Sequence, residues 1–259
     1  MGASMTHVVD PEARALIDTA VAIYSSGRWK AINQVIDNMA RDPQQRRKWS
    51  WRVHAPLCTA VFSNYLALRR IHEQTADGDI SALAWRARNL LELSVWATYC
   101  ARSDENAARF FGDAGRDGLE LLKSFGTWGE KKGQGDKWAA QVEEAKVQLI
   151  ASAEEKGAGS LDGSYVKVRD AARDCGFLDH FAATYKFLSK FAHPTALVLL
   201  GNLDSKEKEL RDAVFGQGCV LFVGAFTALE TCLVKPVTPA LGTEALVNID
   251  DRLLRRNLP

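Results

Sequence analysis

Three polar residues that could do chemistry, Tyr185, Ser189 and His193, follow one another at intervals of four in an otherwise apolar segment. Because side chains four residues apart lie on the same side of an α-helix, the three are predicted to form one polar stripe. Pro194 disfavours the α conformation at the residue before it, so the helix is predicted to end at His193. An imidazole at a helix end can meet other segments and exchange a proton near neutral pH. The stripe is therefore a candidate site.

Arg88 and Glu92 could supply the opposite wall of this site. They are four residues apart in an apolar segment, so their ion pair is predicted to be partly buried, because a buried charge must be paired. If the two helices adjoin, Glu92 could also accept a hydrogen bond from His193 or Tyr185. The functional interpretation is a polar cluster of Arg88, Glu92, Tyr185, Ser189 and His193 that binds a ligand, with His193, Glu92 and Arg88 as candidate catalytic residues. The alternative is a buried network that only fixes helix register.

The same two segments carry a resemblance to a known family. Arg-Asn-Leu-Leu-Glu at 88–92, followed about a hundred residues later by Ser-Lys-Phe-Ala-His-Pro at 189–194, resembles a bacterial all-helical family of unknown function. In that family a helix with R-x-L-x-E precedes a helix ending in S-x-x-x-H-P. The resemblance implies an all-α fold over roughly residues 55–235 and brings no established activity. The signature positions that it implies are Arg88, Glu92, Tyr185, Ser189, His193 and Pro194.

More distantly, the chain is similar to the HEPN superfamily (higher eukaryotes and prokaryotes nucleotide-binding). Active members are metal-independent ribonucleases with an Arg-x(4–6)-His motif. Two pairs have that spacing here, Arg47 with His54 and Arg173 with His180, whereas no arginine stands at that distance from His193. This similarity implies, as the alternative function, a metal-independent ribonuclease in a toxin or phage-defence setting. Whether the protein is an enzyme stays open.

The strongest local basic patch combines cations with two tryptophans. Cations beside aromatic rings suit RNA, because they supply phosphate contacts and base stacking. The alternative is a solvated helical turn whose tryptophans pack into the core. The residues of this candidate RNA patch are Arg46, Arg47, Lys48, Arg52 and His54, with Trp49 and Trp51 between them.

Composition and missing motifs exclude several function classes. With 33 basic and 32 acidic residues the formal charge is +1, so no global field would attract nucleic acid or an anionic membrane. No phosphate-binding loop, dinucleotide fingerprint, nucleophile elbow or metal-ligand pattern occurs, so we expect neither a cofactor nor a metal. The candidate partners are a second copy, through an interface rich in tryptophan, and an RNA or a protein.

The cysteines and the termini suggest where the protein resides. The five cysteines are widely spaced without a C-x-x-C pair, which is typical of buried free thiols in a reducing compartment. The N-terminus lacks a secretion signal, and we expect a cytoplasmic protein. The 17 residues 213–229 carry no charge, but their glycines and Gln217 favour a central helix over a membrane span, so no membrane is expected as a partner.

Helical periodicity and capping residues dominate the chain, which predicts an all-α fold. We expect residues 1–9 to be a remnant of cloning and a flexible N-terminus, and residues 10–259 to form a single multi-helix bundle. A helical hairpin over about 126–163, between two glycine-rich loops, is predicted to protrude as an arm. The predicted helices cover about 10–39 with a break near Gly27, 42–75, 80–102, 103–125, 137–156, two short helices around Gly176, 204–234 and 244–255.

Overall fold

The computed structural model describes residues 11–74, 80–158, 160–162, 165–193, 195 and 207–234. Every regular element within those ranges is a helix, so the predicted all-α class is confirmed. The predictions for residues 1–9, Pro194, Asp204 and 244–255 concern positions outside the described residues. The helices are α1 Pro11–Ser25, α2 Arg28–Arg41, α3 Ala55–Gln74, α4 Ile80–Arg102, α5 Asp104–Lys131, α6 Gly135–Glu155, α7 Val168–Asp174, α8 Leu178–Ala192 and α9 Glu207–Val234.

The centre of the bundle is α9, which packs against α1, α3 and α4. Phe222 and Phe226 of this helix are fully buried, and the Phe222 ring stacks on Tyr65 of α3 with centroids 4.0 Å apart. By length and composition α9 is also apolar enough to cross a membrane, but 56 % of its most apolar window is buried inside the fold. That burial is typical of a core helix, because a central helix is apolar on all sides.

The segment before α3 differs from its prediction. Instead of one helix from Asp42, the chain forms a 3₁₀ turn at Gln45–Arg47 and a π-helix at Ser50–His54 before α3 begins. Lys48 between them has an extended backbone, and Trp49 packs against Phe111 of α5 with ring centroids 5.7 Å apart. Tertiary packing of Trp49 therefore overrides the local helix start, and the π-helix brings Arg52 and Val53 to the side of α5.

Helices α5 and α6 pack along each other, and α5 is longer than predicted. α5 does not end near Phe125; it continues to Lys131, and two of its glycines lie where α6 approaches closely. An added Cβ at Gly118 would come within 2.9 Å of Leu149, and one at Gly129 within 2.0 Å of the Trp138 side chain. Since these glycines permit close helix packing, α6 approaches α5 at Gly118 as well as beyond residue 126.

Helix α8 carries Tyr185 and Ser189 and leads directly to His193, as the sequence predicts. It ends at Ala192, and His193 takes an extended backbone (φ −121°, ψ 154°), as expected for a residue before proline. α8 packs against α4 through buried side chains that include Phe181 and Leu188. The end of α8 is thereby held against the middle of α4, where Arg88 lies.

Candidate functional site

Arg88 is the residue around which the polar cluster is arranged. Its Nη1 lies 2.6 Å from Nε2 of His193, and its Nη2 donates to the Tyr185 hydroxyl at 2.5 Å. The guanidinium also lies over the Tyr185 ring, 4.5 Å from the centroid. Because a guanidinium can only donate, His193 accepts at Nε2, and Nδ1 carries the proton of the neutral imidazole. The predicted contact between the two segments is therefore present, with Arg88 making it.

Glu92 occupies a different place from the predicted one. Its Oε1 lies 3.4 Å from Nε of Arg88, one helical turn away, and its side chain is 36 % exposed. It makes no contact with His193 or Tyr185 in the described structure, so it does not orient the imidazole directly. Arg88 stands between the carboxylate and the α8 side chains, which explains the difference.

Ser189 lies on the predicted stripe but takes no part in the cluster. Its Oγ is buried and makes no hydrogen bond among the described residues. The helical spacing placed it on α8 between Tyr185 and His193, but the Arg88 guanidinium bonds those two residues and not the Ser189 hydroxyl. Four of the five predicted cluster residues are thus brought together: Arg88, Glu92, Tyr185 and His193.

A groove opens beside the cluster, and Glu92 belongs to both. The groove has a volume of about 800 Å³, and most of its wall is apolar or aromatic. Trp96, one turn beyond Glu92, packs on Phe110 of α5 with ring centroids 4.7 Å apart. The other lining residues come from the π-helix, α3, α5 and the segment before α7: Arg52, Val53, Pro56, Leu57, Ala60, Phe111, Asp113, Ala114, Asp117, Tyr165, Val166, Lys167 and Val168.

Asp113 holds one wall of this groove in place. It is 6 % exposed, pairs with Arg116 at 2.6 Å and accepts a hydrogen bond from the backbone N–H of Val166 at 3.0 Å. Arg116 also donates to the carbonyl of Ser160. The sequence prediction missed this anchor, although the three-residue spacing of Asp113 and Arg116 on a helix was a usable signal for an ion pair.

Asp117, one turn further along α5, is the unpaired carboxylate of the groove. Among the described residues it makes neither a hydrogen bond nor an ion pair, and it is exposed. Its pKa is raised by partial burial and by the like charges of Asp113 and Glu120. A cation placed beside Asp117 would relieve this repulsion.

The candidate RNA patch divides into exposed and buried parts. Arg46, Arg47 and Lys48 are exposed, whereas Arg52 stacks over Trp49 and Phe111 and donates to the carbonyl of Lys156. His54 is 6 % exposed, and its Nε2 lies 3.2 Å from the carbonyl oxygen of Cys100. Any RNA-binding surface here therefore consists of the first three residues.

Neither Arg/His pair with ribonuclease spacing forms a joint site. Arg47 is exposed while His54 is buried, and the pKa of His54 is lowered by that burial. Arg173 pairs with Asp170 at 2.8 Å on α7, whereas His180 lies on α8 near Thr184, and burial lowers its pKa as well. Among the described residues, an arginine and a histidine do meet at Arg88 and His193, which are too far apart in sequence for the Arg-x(4–6)-His motif.

The remaining reactive groups are thiols. All five cysteines are free, as predicted: Cys58, Cys100, Cys175, Cys219 and Cys232. Burial raises the pKa of Cys58 to about 12 and that of Cys232 to about 11, so both are protonated and unreactive at neutral pH. Over the residues that the structure describes, no group of three His, Cys, Asp or Glu side chains could hold a metal ion.

Comparison with known proteins gives one match, to a family of unknown function (DUF5677), over residues 54–210. The matched range is more than half of the chain. The protein belongs to this family. No curated protein and no solved structure matches the chain. The DUF5677 range runs from the end of the π-helix into α9 and contains Arg88, Glu92, Tyr185 and His193 and most of the groove lining.

Proposed function

We propose that this DUF5677 protein is a binding module that takes a small ligand in the groove beside Arg88. The observation that carries the proposal is that Glu92 lines the groove while its carboxylate is paired with Arg88, which Tyr185 and His193 hold in turn. A polar group whose orientation is fixed, at the edge of an apolar groove, is the usual arrangement of small-molecule sites. The cluster residues are proposed as the signature positions of the family.

The walls of the groove favour a flat, apolar body for the ligand. Trp96, Phe110 and Phe111 supply aromatic surface, and a volume of about 800 Å³ lies within the usual range for ligand sites. A planar ring system would bury its faces against these side chains. The apolar walls therefore supply the affinity of the site.

Glu92 specifies the polar group of the ligand. Its carboxylate can only accept hydrogen bonds, and its 36 % exposed side chain leaves an oxygen available beyond the Arg88 pair. The matching ligand carries an N–H or O–H donor at one end. Arg88, engaged on all sides, positions the carboxylate and does not itself bind the ligand.

A fluorescence titration with N-phenyl-naphthylamine tests this function, because the dye is planar, carries one N–H donor and brightens in apolar surroundings. We expect a saturable rise in emission with a micromolar dissociation constant. Ala114→Trp should lower the affinity for the dye at least about tenfold, because the indole would fill the groove. Glu92→Leu should lower the affinity for the dye about three- to tenfold, because one hydrogen bond is lost.

The matched control is Ala182→Trp, which adds the same side chain at an exposed position of α8 away from the groove. Its dye affinity should equal that of the wild type. Equal affinity of wild type and Ala114→Trp, or no rise in emission at all, would exclude the groove as the binding site.

The contact between Arg88 and His193 favours a second candidate function, a metal-independent ribonuclease similar to HEPN enzymes and acting in toxin or phage defence. His193 is exposed, so its Nε2 could take the proton of an RNA 2′-hydroxyl once the Arg88 guanidinium turns from that nitrogen to the phosphate, where it would stabilise negative charge. The free cysteines support a cytoplasmic location, where RNA is accessible.

Cleavage of RNA in EDTA separates the two functions. The ribonuclease requires activity that falls at least about a hundredfold in His193→Ala and persists in His180→Ala, a variant of the half-buried histidine on the same helix. If the wild type leaves RNA intact, the binding module remains and the ribonuclease is excluded.

A further inference from the structure

An apolar stripe on α5 is about half exposed in the described structure. Leu121 is 56 % exposed, Phe125 47 % and Trp128 51 %. Their spacing of four and three residues puts them along one side of the helix. α6 packs on a neighbouring side, marked by Gly118 and Gly126, and reaches the stripe where the Trp138 ring meets Trp128, with centroids 6.2 Å apart. Much of the stripe therefore stays open.

The charges beside the stripe are divided between its two ends. Asp117 and Glu120 flank its N-terminal end, and Lys131 and Lys132 flank its C-terminal end. All four are exposed, and none of them makes an ion pair within the described structure. A helix with this division is complementary to itself only when it runs antiparallel to its partner, since a parallel pair would bring like charges together.

The register of an antiparallel pair follows from the spacing. If a two-fold axis passes between Ser124 and Phe125, Leu121 faces Trp128 of the second copy. The same register puts Asp117 opposite Lys132 of the second copy, and symmetry repeats both contacts. The apolar positions and the opposite charges are thus matched by one placement of the axis.

We propose that the protein forms a homodimer through antiparallel pairing of α5 with α5 of a second copy. Phe125 lies beside the axis, where the two rings meet, and Leu121 and Trp128 extend the apolar centre on either side. Aromatic residues at the centre with charged pairs at the rim are the usual composition of a stable interface. Lys132 of the second copy also supplies the cation that Asp117 lacks.

Sedimentation velocity of the full chain tests this dimer. We expect the wild type to sediment as a dimer at micromolar concentration and Phe125→Asp as a monomer, because the two introduced carboxylates would face each other at the axis. Val147→Asp, at a 65 % exposed position of α6, is the matched control and should stay dimeric.

A charge exchange tests the register itself. Lys132→Glu should weaken the dimer by about tenfold by facing Asp117 with a like charge, and Asp117→Lys combined with Lys132→Glu should restore it. A monomeric wild type, a dimeric Phe125→Asp protein, or an exchange that restores nothing would overturn the proposal. Circular dichroism of each variant shows whether it is folded.

Discussion

Asp113→Ala is expected to lower the free energy of unfolding by about 2–4 kcal/mol, measured by urea denaturation. The substitution leaves the Arg116 guanidinium without its buried partner and the Val166 N–H without its acceptor. Both losses occur in a site where Asp113 is 6 % exposed, so water cannot replace the carboxylate fully. Without the Asp113 carboxylate, the groove wall before α7 should become more mobile, and the affinity for the dye should fall as well.

Asp117→Ala is the control for this prediction. It removes the same side chain one turn along the same helix, where the carboxylate has no partner and its pKa is raised by burial, Asp113 and Glu120. The substitution is made in a monomer background such as Phe125→Asp. There, the free energy of unfolding at pH 7 should equal that of the Phe125→Asp parent or slightly exceed it. Equal losses in the Asp113 and Asp117 variants would show that Asp113 anchors nothing.

Arg88→Ala is expected to lower the free energy of unfolding by about 1.5–3 kcal/mol. The change removes the contact over the Tyr185 ring and the hydrogen bonds to Tyr185 and His193 that join α4 to α8. Glu92→Ala should cost about 1 kcal/mol or less, because the Glu92 side chain is 36 % exposed and solvent screens its ion pair with Arg88. Thermal or urea unfolding of both variants measures the difference.

Tyr185→Phe separates the stacking of Arg88 from its hydrogen bonds. It keeps the ring beneath the guanidinium and removes only the hydroxyl, so it should cost about 0.5–1.5 kcal/mol. If Arg88→Ala proves no more destabilising than Tyr185→Phe, the guanidinium does not join the two helices as described.

Local signals predicted several boundaries of the fold well. α4 begins at Ile80 and ends at Arg102, and the Ser103 hydroxyl caps α5 by accepting from the Asn106 N–H at 3.1 Å. Pro194 predicted the extended backbone at His193. Each of these signals acts within one helical turn, so the sequence contains all that is needed to interpret it.

Other features depend on contacts between distant segments. The π-helix at Ser50–His54 accompanies the packing of Trp49 on Phe111, and the continuation of α5 past Gly126 needs the close approach of α6. Neither is visible in local periodicity. The candidate site shows the same limit. Helical spacing predicted that Arg88 and Tyr185 lie on facing sides of their helices. It could not predict that the long Arg88 side chain, and not Glu92, contacts His193.

A crystallographic screen of the protein with small aromatic amines tests the binding module most directly. The account predicts that bound fragments lie in the groove against the packed rings of Trp96 and Phe110, with an N–H donated to Glu92, and that Arg88 keeps its contacts to Tyr185 and His193. Fragments that bind elsewhere and leave this groove empty, or that bind by displacing Arg88 from His193, would contradict it.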